Sequence, residues 1–202
     1  MSRRKPSPIS LEWKRIAFDA LREDDGRYKP EEAEAWRNPW ENHIEGDRLA
    51  RTDVLDAQLI CNLGWSLAIQ QERYTEAIDR QGRLFEHPDI ERISSWEQAD
   101  HRCNIALARL QNGDTTQAVS DYRSILTGLA AKDIRSIRPL VRNHLFHFAE
   151  QQSSSSTVPE SLQNLAINML ELYSGQKRRL RILKAQPPTY AALAAALQTH
   201  QA

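Results

Sequence analysis

At 202 residues and 23.2 kDa the chain has room for one compact domain or one short solenoid with irregular ends, and it can bury a core without disulfides or a structural metal. Lys and Arg total 27 and Asp and Glu total 27, so the summed charge supplies no field drawing the chain to nucleic acid, an anionic membrane or a basic partner. Seven Gly and nine Pro are few, while Leu, Ala, Glu, Gln and Arg are plentiful good helix formers, which favours an all-α fold.

Residues 1–9 are basic and Pro-rich and read as a flexible arm; no apolar run follows them, so they do not form a secretory signal. Residues 10–46 read as an N-terminal helical cap. Ser10 is placed to cap a helix with Leu11, Ile16, Ala17, Ala20 and Leu21 on its apolar stripe, and Lys29-Pro30-Glu31-Glu32 restarts a short second helix. Trp13, Trp36 and Trp40 fall in this segment and are expected to pack over the first repeat.

From Asp47 the apolar spacing becomes long and regular. Leu55, Leu59, Ile60, Leu63 and Leu67 recur at helical intervals, a polar break follows at Gln70 to Arg73, and Tyr74, Ala77, Ile78, Gln81, Leu84 and Phe85 form a return helix. His87-Pro88-Asp89 ends this hairpin, with Asp89 placed to cap the next helix, whose stripe is Ile93, Trp96, Ala99, Cys103, Ala106, Leu107 and Leu110. Asn112-Gly113-Asp114 breaks the chain: the Gly suits a left-handed helix terminus, and Asp114 with Gln117 forms a capping-box variant. Ala118, Val119, Tyr122, Ile125, Leu126 and Leu129 make the second return helix.

A third unit is more degenerate. Ser136 is expected to cap a helix with Pro139 in its first turn and Leu140, Val141, Leu145, Phe148 and Ala149 on its buried face. A serine-rich loop follows over 151–158, and Thr157 with Glu160 fits a capping box opening a helix with Leu162, Leu165, Ala166, Met169, Leu170 and Tyr173. Residues 175–202 then hold a basic segment and, beyond Pro187-Pro188, an Ala- and Leu-rich C-terminal capping helix over 189–198.

The hairpins recur in sequence. Cys61-Asn62-Leu63-Gly64 answers Cys103-Asn104-Ile105-Ala106, Tyr74-Thr75-Glu76-Ala77-Ile78 answers Thr115-Thr116-Gln117-Ala118-Val119, and Arg142-Asn143-His144-Leu145 is a weaker third echo. These residues resemble the tetratricopeptide repeat, with a Leu-Gly or Ile-Ala pair at the helix crossing, a tight turn, an Ala early in the second helix, an aromatic such as Tyr122 within it, and Pro88 at a repeat end. The spacing departs from the family: Ala77 and Ala118 are 41 residues apart against ~34, and the first unit has one extra residue before Tyr74. The resemblance implies a short α-solenoid of about three antiparallel hairpins over 47–174. Gly64, Ala77, Ala106 and Ala118 would sit where helix backbones approach, whereas Gln163 reads as a residue on a polar face.

The resemblance also implies a concave surface that binds a polypeptide. Asn62, Asn104 and, more loosely, Asn143 match its peptide-facing position; Arg102, Arg109 and Arg142 lie near them as candidate carboxylate clamps, and Trp65 and His147 join the same expected surface. His144 and His147, one turn apart near Glu150, lack a third ligand of matching quality, and Cys61 and Cys103 read as buried structural thiols in a reducing compartment, so neither a metal nor a cofactor is expected. There is no Gly-Lys-Ser/Thr loop and no nucleophile elbow, so no enzymatic activity is expected. Lys177, Arg178, Arg179, Arg181 and Lys184 form a basic cluster without interleaved aromatics. It reads first as a solvated face favoured by the helix dipole, with an acidic protein partner or a nucleic-acid association as alternatives, and the balanced charge argues against the last. No stretch approaches the ~18 apolar residues of a membrane span. The expectation is a cytoplasmic adaptor, chaperone or immunity protein, monomeric or homodimeric.

Overall fold

A computed structural model describes residues 46–153, 155–171 and 176–198. The expected arm, nearly all of the N-terminal cap with Trp13, Trp36 and Trp40, and Tyr173 lie outside the described residues. The chain forms two compact units, Met1–Ser94 and Ser95–Ala202. Helices dominate the described residues of both, which hold no strand and only an isolated antiparallel bridge between Thr157 and Thr189.

The first unit carries one helical hairpin. A 3-10 turn over Gly46–Arg51 leads to Asp53, whose carboxylate accepts from the Leu55 amide at 3.0 Å and caps α1 (Val54–Gln70). Val54, Ala57, Ile60, Cys61, Leu63 and Leu67 of α1 build a core with Leu49, Leu84 and Ile93. The chain turns through Glu72, whose φ of 57° closes the helix while the Arg73 amide donates to the Ala68 carbonyl at 2.9 Å. The return helix α2 (Tyr74–Gly82) packs along α1. Arg80, almost fully buried on α2, reaches across to donate to the Gly64 carbonyl at 3.2 Å and pairs with Glu76.

Beyond α2 a 3-10 turn (Arg83–Glu86) delivers His87, a buried clasp that the sequence pattern did not mark. Its Nε2 donates to the Thr52 carbonyl at 3.2 Å, and its Nδ1 accepts from the Asp89 amide at 3.1 Å. Asp89 does not cap a long helix. It precedes a single 3-10 turn, Ile90–Arg92, and pairs with Arg92, which also reaches Asp53 at 3.3 Å. Ile93 accordingly belongs to this unit's core and not to the next helix.

The second unit holds α3 (Ser95–Gln111), α4 (Thr115–Gly128), α5 (Ala131–Gln151), α6 (Glu160–Glu171), α7 (Lys177–Lys184) and α8 (Tyr190–Leu197). Helix α3 packs on α4 and on α5, α4 packs on α6, and α8 folds back mainly onto α5. Ala99, Cys103, Ala106 and Leu110 of α3 enter the core, but Trp96, expected on that stripe, is 47% exposed. Gly113 takes a φ of 85° at the α3–α4 turn and Asp114 caps α4, accepting from the Gln117 amide at 3.2 Å. The Gln117 side chain turns forward to Asp121 at 3.0 Å, so the reciprocal half of the capping box is missing.

Two helix starts differ from the sequence expectation. Helix α5 begins at Ala131, five residues before Ser136, and carries Pro139 in its interior. The buried face already runs through Ile137, so apolar packing offsets the backbone hydrogen bond that Pro139 cannot make. Thr157 does not cap α6: it lies in the bridge with Thr189, where the Val158 amide donates to the Pro188 carbonyl at 2.9 Å and the Tyr190 amide to the Ser156 carbonyl at 3.2 Å. The Pro159 carbonyl accepts the first amides of α6. Thr189, in the same bridge, caps α8, and Tyr190 meets Phe148 of α5 edge-on with ring centroids 5.8 Å apart.

Candidate functional site

The expected binding residues fall in both units. On α1, the buried side runs through Ala57, Ile60, Cys61, Gly64 and Leu67; half-buried Asn62 stands on the opposite side with the 58% exposed Leu55, and half-buried Trp65 lies at the flank. Both Asn62 and Trp65 make further polar or ring contacts, so neither is simply displayed to solvent.

On α3 the expected amide and arginine do not share a helix face. Arg102 and Asn104 are two positions apart on a helix, where side chains diverge to opposite sides, and Asn104 is half-buried while Arg102 is exposed. Arg109 is engaged within its own hairpin, in an ion pair with Asp121 of α4, so its guanidinium braces α3 on α4 instead of waiting for a carboxylate. On α5 the geometry is closer to the expectation. Asn143 and His147 lie one turn apart on an exposed stripe with Glu150, which sits 3.5 Å from His147 Nδ1, and Arg142 Nη2 donates to Asn143 Oδ1 at 3.3 Å.

His144 separates from His147 completely. It points into the core, with Nδ1 3.0 Å from the Tyr122 hydroxyl, and burial, with a smaller contribution from His147, lowers its pKa to about 4. Among the described residues no group of three or more His, Cys, Asp or Glu side chains is placed to hold a metal ion. Burial likewise pushes the Cys61 thiol up to about 12 and the Cys103 thiol upward, which keeps both protonated and unreactive. No described helix is long and apolar enough to cross a membrane.

The basic cluster is the helix α7 itself. Leu183 anchors it in the core, and Lys177, Arg178, Arg181 and Lys184 are exposed with Arg179 half-buried. The helix dipole does not account for it. Arg181 and Lys184 occupy the last turn, but Lys177, Arg178 and Arg179 open the helix, at the end where the dipole disfavours cations. A cleft of about 630 Å³ adjoins α7 at Lys184, between α6 and the segment leading to α8. Gln163, expected on a silent polar face, lines this cleft and donates its amide to the Leu183 carbonyl at the end of α7.

No protein-family model matches this chain. No curated protein and no solved structure matches it either.

Proposed function

We propose that the chain is a non-catalytic polypeptide-binding module, an adaptor, chaperone-like or partner-neutralising protein built from helical hairpins of the tetratricopeptide kind. The observation that carries this reading is the packing order of the second unit. Its α3 pairs with α4, α3 also lies on α5, and α4 lies on α6, so alternate helices are neighbours. Helix α5 packs on α8 more than on α6, and the exposed stripe that remains on it bears Asn143 and His147. Amide and imidazole groups there are suited to exchanging hydrogen bonds with a peptide backbone. Two buried free cysteines fit a reducing compartment such as the cytoplasm.

The test is affinity capture by the tagged full chain from its native host, with and without nuclease, followed by rebinding of the captured polypeptide in purified form. A polypeptide retained after nuclease treatment and weakened by Asn143→Ala with His147→Ala supports the proposal. Retention that vanishes with nuclease, or no retained polypeptide, rejects it. Asn62 and Asn104 are poor choices for the variant pair, because both are half-buried and engaged.

A further inference from the structure

The zero net charge of the chain conceals a division. Residues 1–94 hold fifteen Lys and Arg against nineteen Asp and Glu, a net −4, while residues 95–202 hold twelve against eight, a net +4. Five of the twelve cations of the second unit lie in the eight residues of α7. Lys184 alone among them is paired, with Glu171 at 2.8 Å; among the described residues no ion pair or side-chain hydrogen bond engages Lys177, Arg178, Arg179 or Arg181. Arg73, Arg80, Arg83, Arg92 and Arg109, by contrast, all sit in ion pairs. Mutual repulsion on one short helix, three cations of it at the unfavourable helix end, is a cost that folding alone does not require.

The neighbouring cleft gives the charge a context. It is lined by apolar Val158 and Ile167, by the amides of Asn164 and Gln186, and by Lys184 and Glu160. Lys177, Arg181 and Lys184 follow one another at one-turn spacing on α7, so their row leads to the cleft. We propose that α7 and this cleft form a docking site for an acidic polypeptide segment, whose carboxylates pair with Lys177, Arg178 and Arg181 while an adjoining apolar side chain enters the cleft over Ile167. Guanidinium groups match carboxylates in fork geometry, side-chain amides can satisfy a peptide backbone, and Glu160 repels carboxylates from the cleft and so sets the register. Neither α7 nor the cleft lining offers an aromatic ring on which a base could stack, which favours a polypeptide over single-stranded nucleic acid. The inference rests on the polypeptide-binding reading and adds a surface and a partner chemistry to it.

The test is fluorescence anisotropy of the full chain with a labelled peptide of alternating Glu and Leu, and with oligo-dT of similar length, at about 50 mM and about 300 mM salt. The peptide should bind and weaken with salt. Arg178→Glu with Arg181→Glu, or Asn164→Trp alone, should weaken it by about tenfold or more, whereas Arg123→Glu with Lys132→Glu, an equal change of charge at exposed unpaired positions of the same unit, should cost less than about twofold. Circular dichroism confirms that each variant is folded. Equal losses for the two charge pairs, tighter binding of oligo-dT than of peptide, or no peptide binding at the lower salt overturns the proposal. Host capture unchanged by Arg178→Glu with Arg181→Glu rejects this site and leaves the polypeptide-binding reading standing; peptide binding at α7 with no host polypeptide captured rejects that reading and leaves the site.

Discussion

The Tyr122 hydroxyl on α4 lies 3.0 Å from His144 Nδ1 on α5, and both side chains are buried, so two adjacent helices are joined by a polar contact inside an apolar core. Burial lowers the His144 pKa to about 4, against about 6.5 for an unfolded histidine. Between those values the unfolded chain takes up a proton that the folded chain refuses. The contribution is therefore fully present above about pH 6.5 and is lost as pH falls toward 4, by roughly 3 kcal/mol in all. His101, also lowered by burial, acts in the same direction but is common to both proteins in a comparison with His144→Gln. Denaturant melts at pH 7.5 and pH 4.5 should show the stability gap between wild type and His144→Gln narrowing, or reversing, by about 2–3 kcal/mol. A gap that stays constant would mean that His144 is solvated.

Tyr122→Phe tests the same contact from the other side. It keeps the ring and removes the hydroxyl, leaving a buried imidazole nitrogen without its partner, and should cost about 1–3 kcal/mol in a melt at neutral pH. In the His144→Gln background the loss should differ, because the two residues are coupled directly.

The two hairpin turns offer a reciprocal experiment. Glu72 and Gly113 occupy the same place in their turns, each with a positive φ, and each is followed by an amide bonded back five residues, Arg73 to Ala68 and Asp114 to Arg109. A side chain disfavours this backbone region and glycine does not. Glu72→Gly should therefore raise stability by about 0.5–1 kcal/mol and Gly113→Ala should lower it by about 1 kcal/mol. A Cβ at Gly113 would meet nothing within 4 Å, so the loss there is backbone strain alone. Thermal melts that rank the two changes in the opposite order would contradict the equivalence.

Overpacking probes the helix crossing. Ala106 is fully buried on α3, and Ala106→Phe should destabilise by ~1–3 kcal/mol or more, while Ser120→Ala on the exposed side of α4 should stay within ~0.5 kcal/mol. Gln163→Ala is not a neutral control, because that amide holds the Leu183 carbonyl. Comparable melting losses for Ala106→Phe and Ser120→Ala would show that the crossing has room.

The parts of the fold legible in sequence were those fixed by local signals. Helical spacing of apolar residues located both hairpins, Gly113 announced its left-handed turn, and Asp114 announced its cap. The extra residue expected before Tyr74 does not appear in the helices or the turn: α1 and α3 each have 17 residues, and three residues separate each from its return helix. What escaped was non-local. Nothing near Thr157 signals its bridge to Thr189, and the Pro139 rule for helix starts yields to the packing of Ile137. In the candidate site, proximity in sequence misled at Arg102 and Asn104, since neighbours two apart on a helix do not share a face. The charge division was available all along, but only to a count made by halves.

The most direct measurement of the central claim is isothermal titration calorimetry of the purified full chain with the polypeptide it captures from its host. Polypeptide binding without catalysis predicts a saturable heat at a simple stoichiometric ratio, followed by a flat baseline. Absence of saturable heat, or a sustained signal of the kind substrate turnover produces, would contradict it.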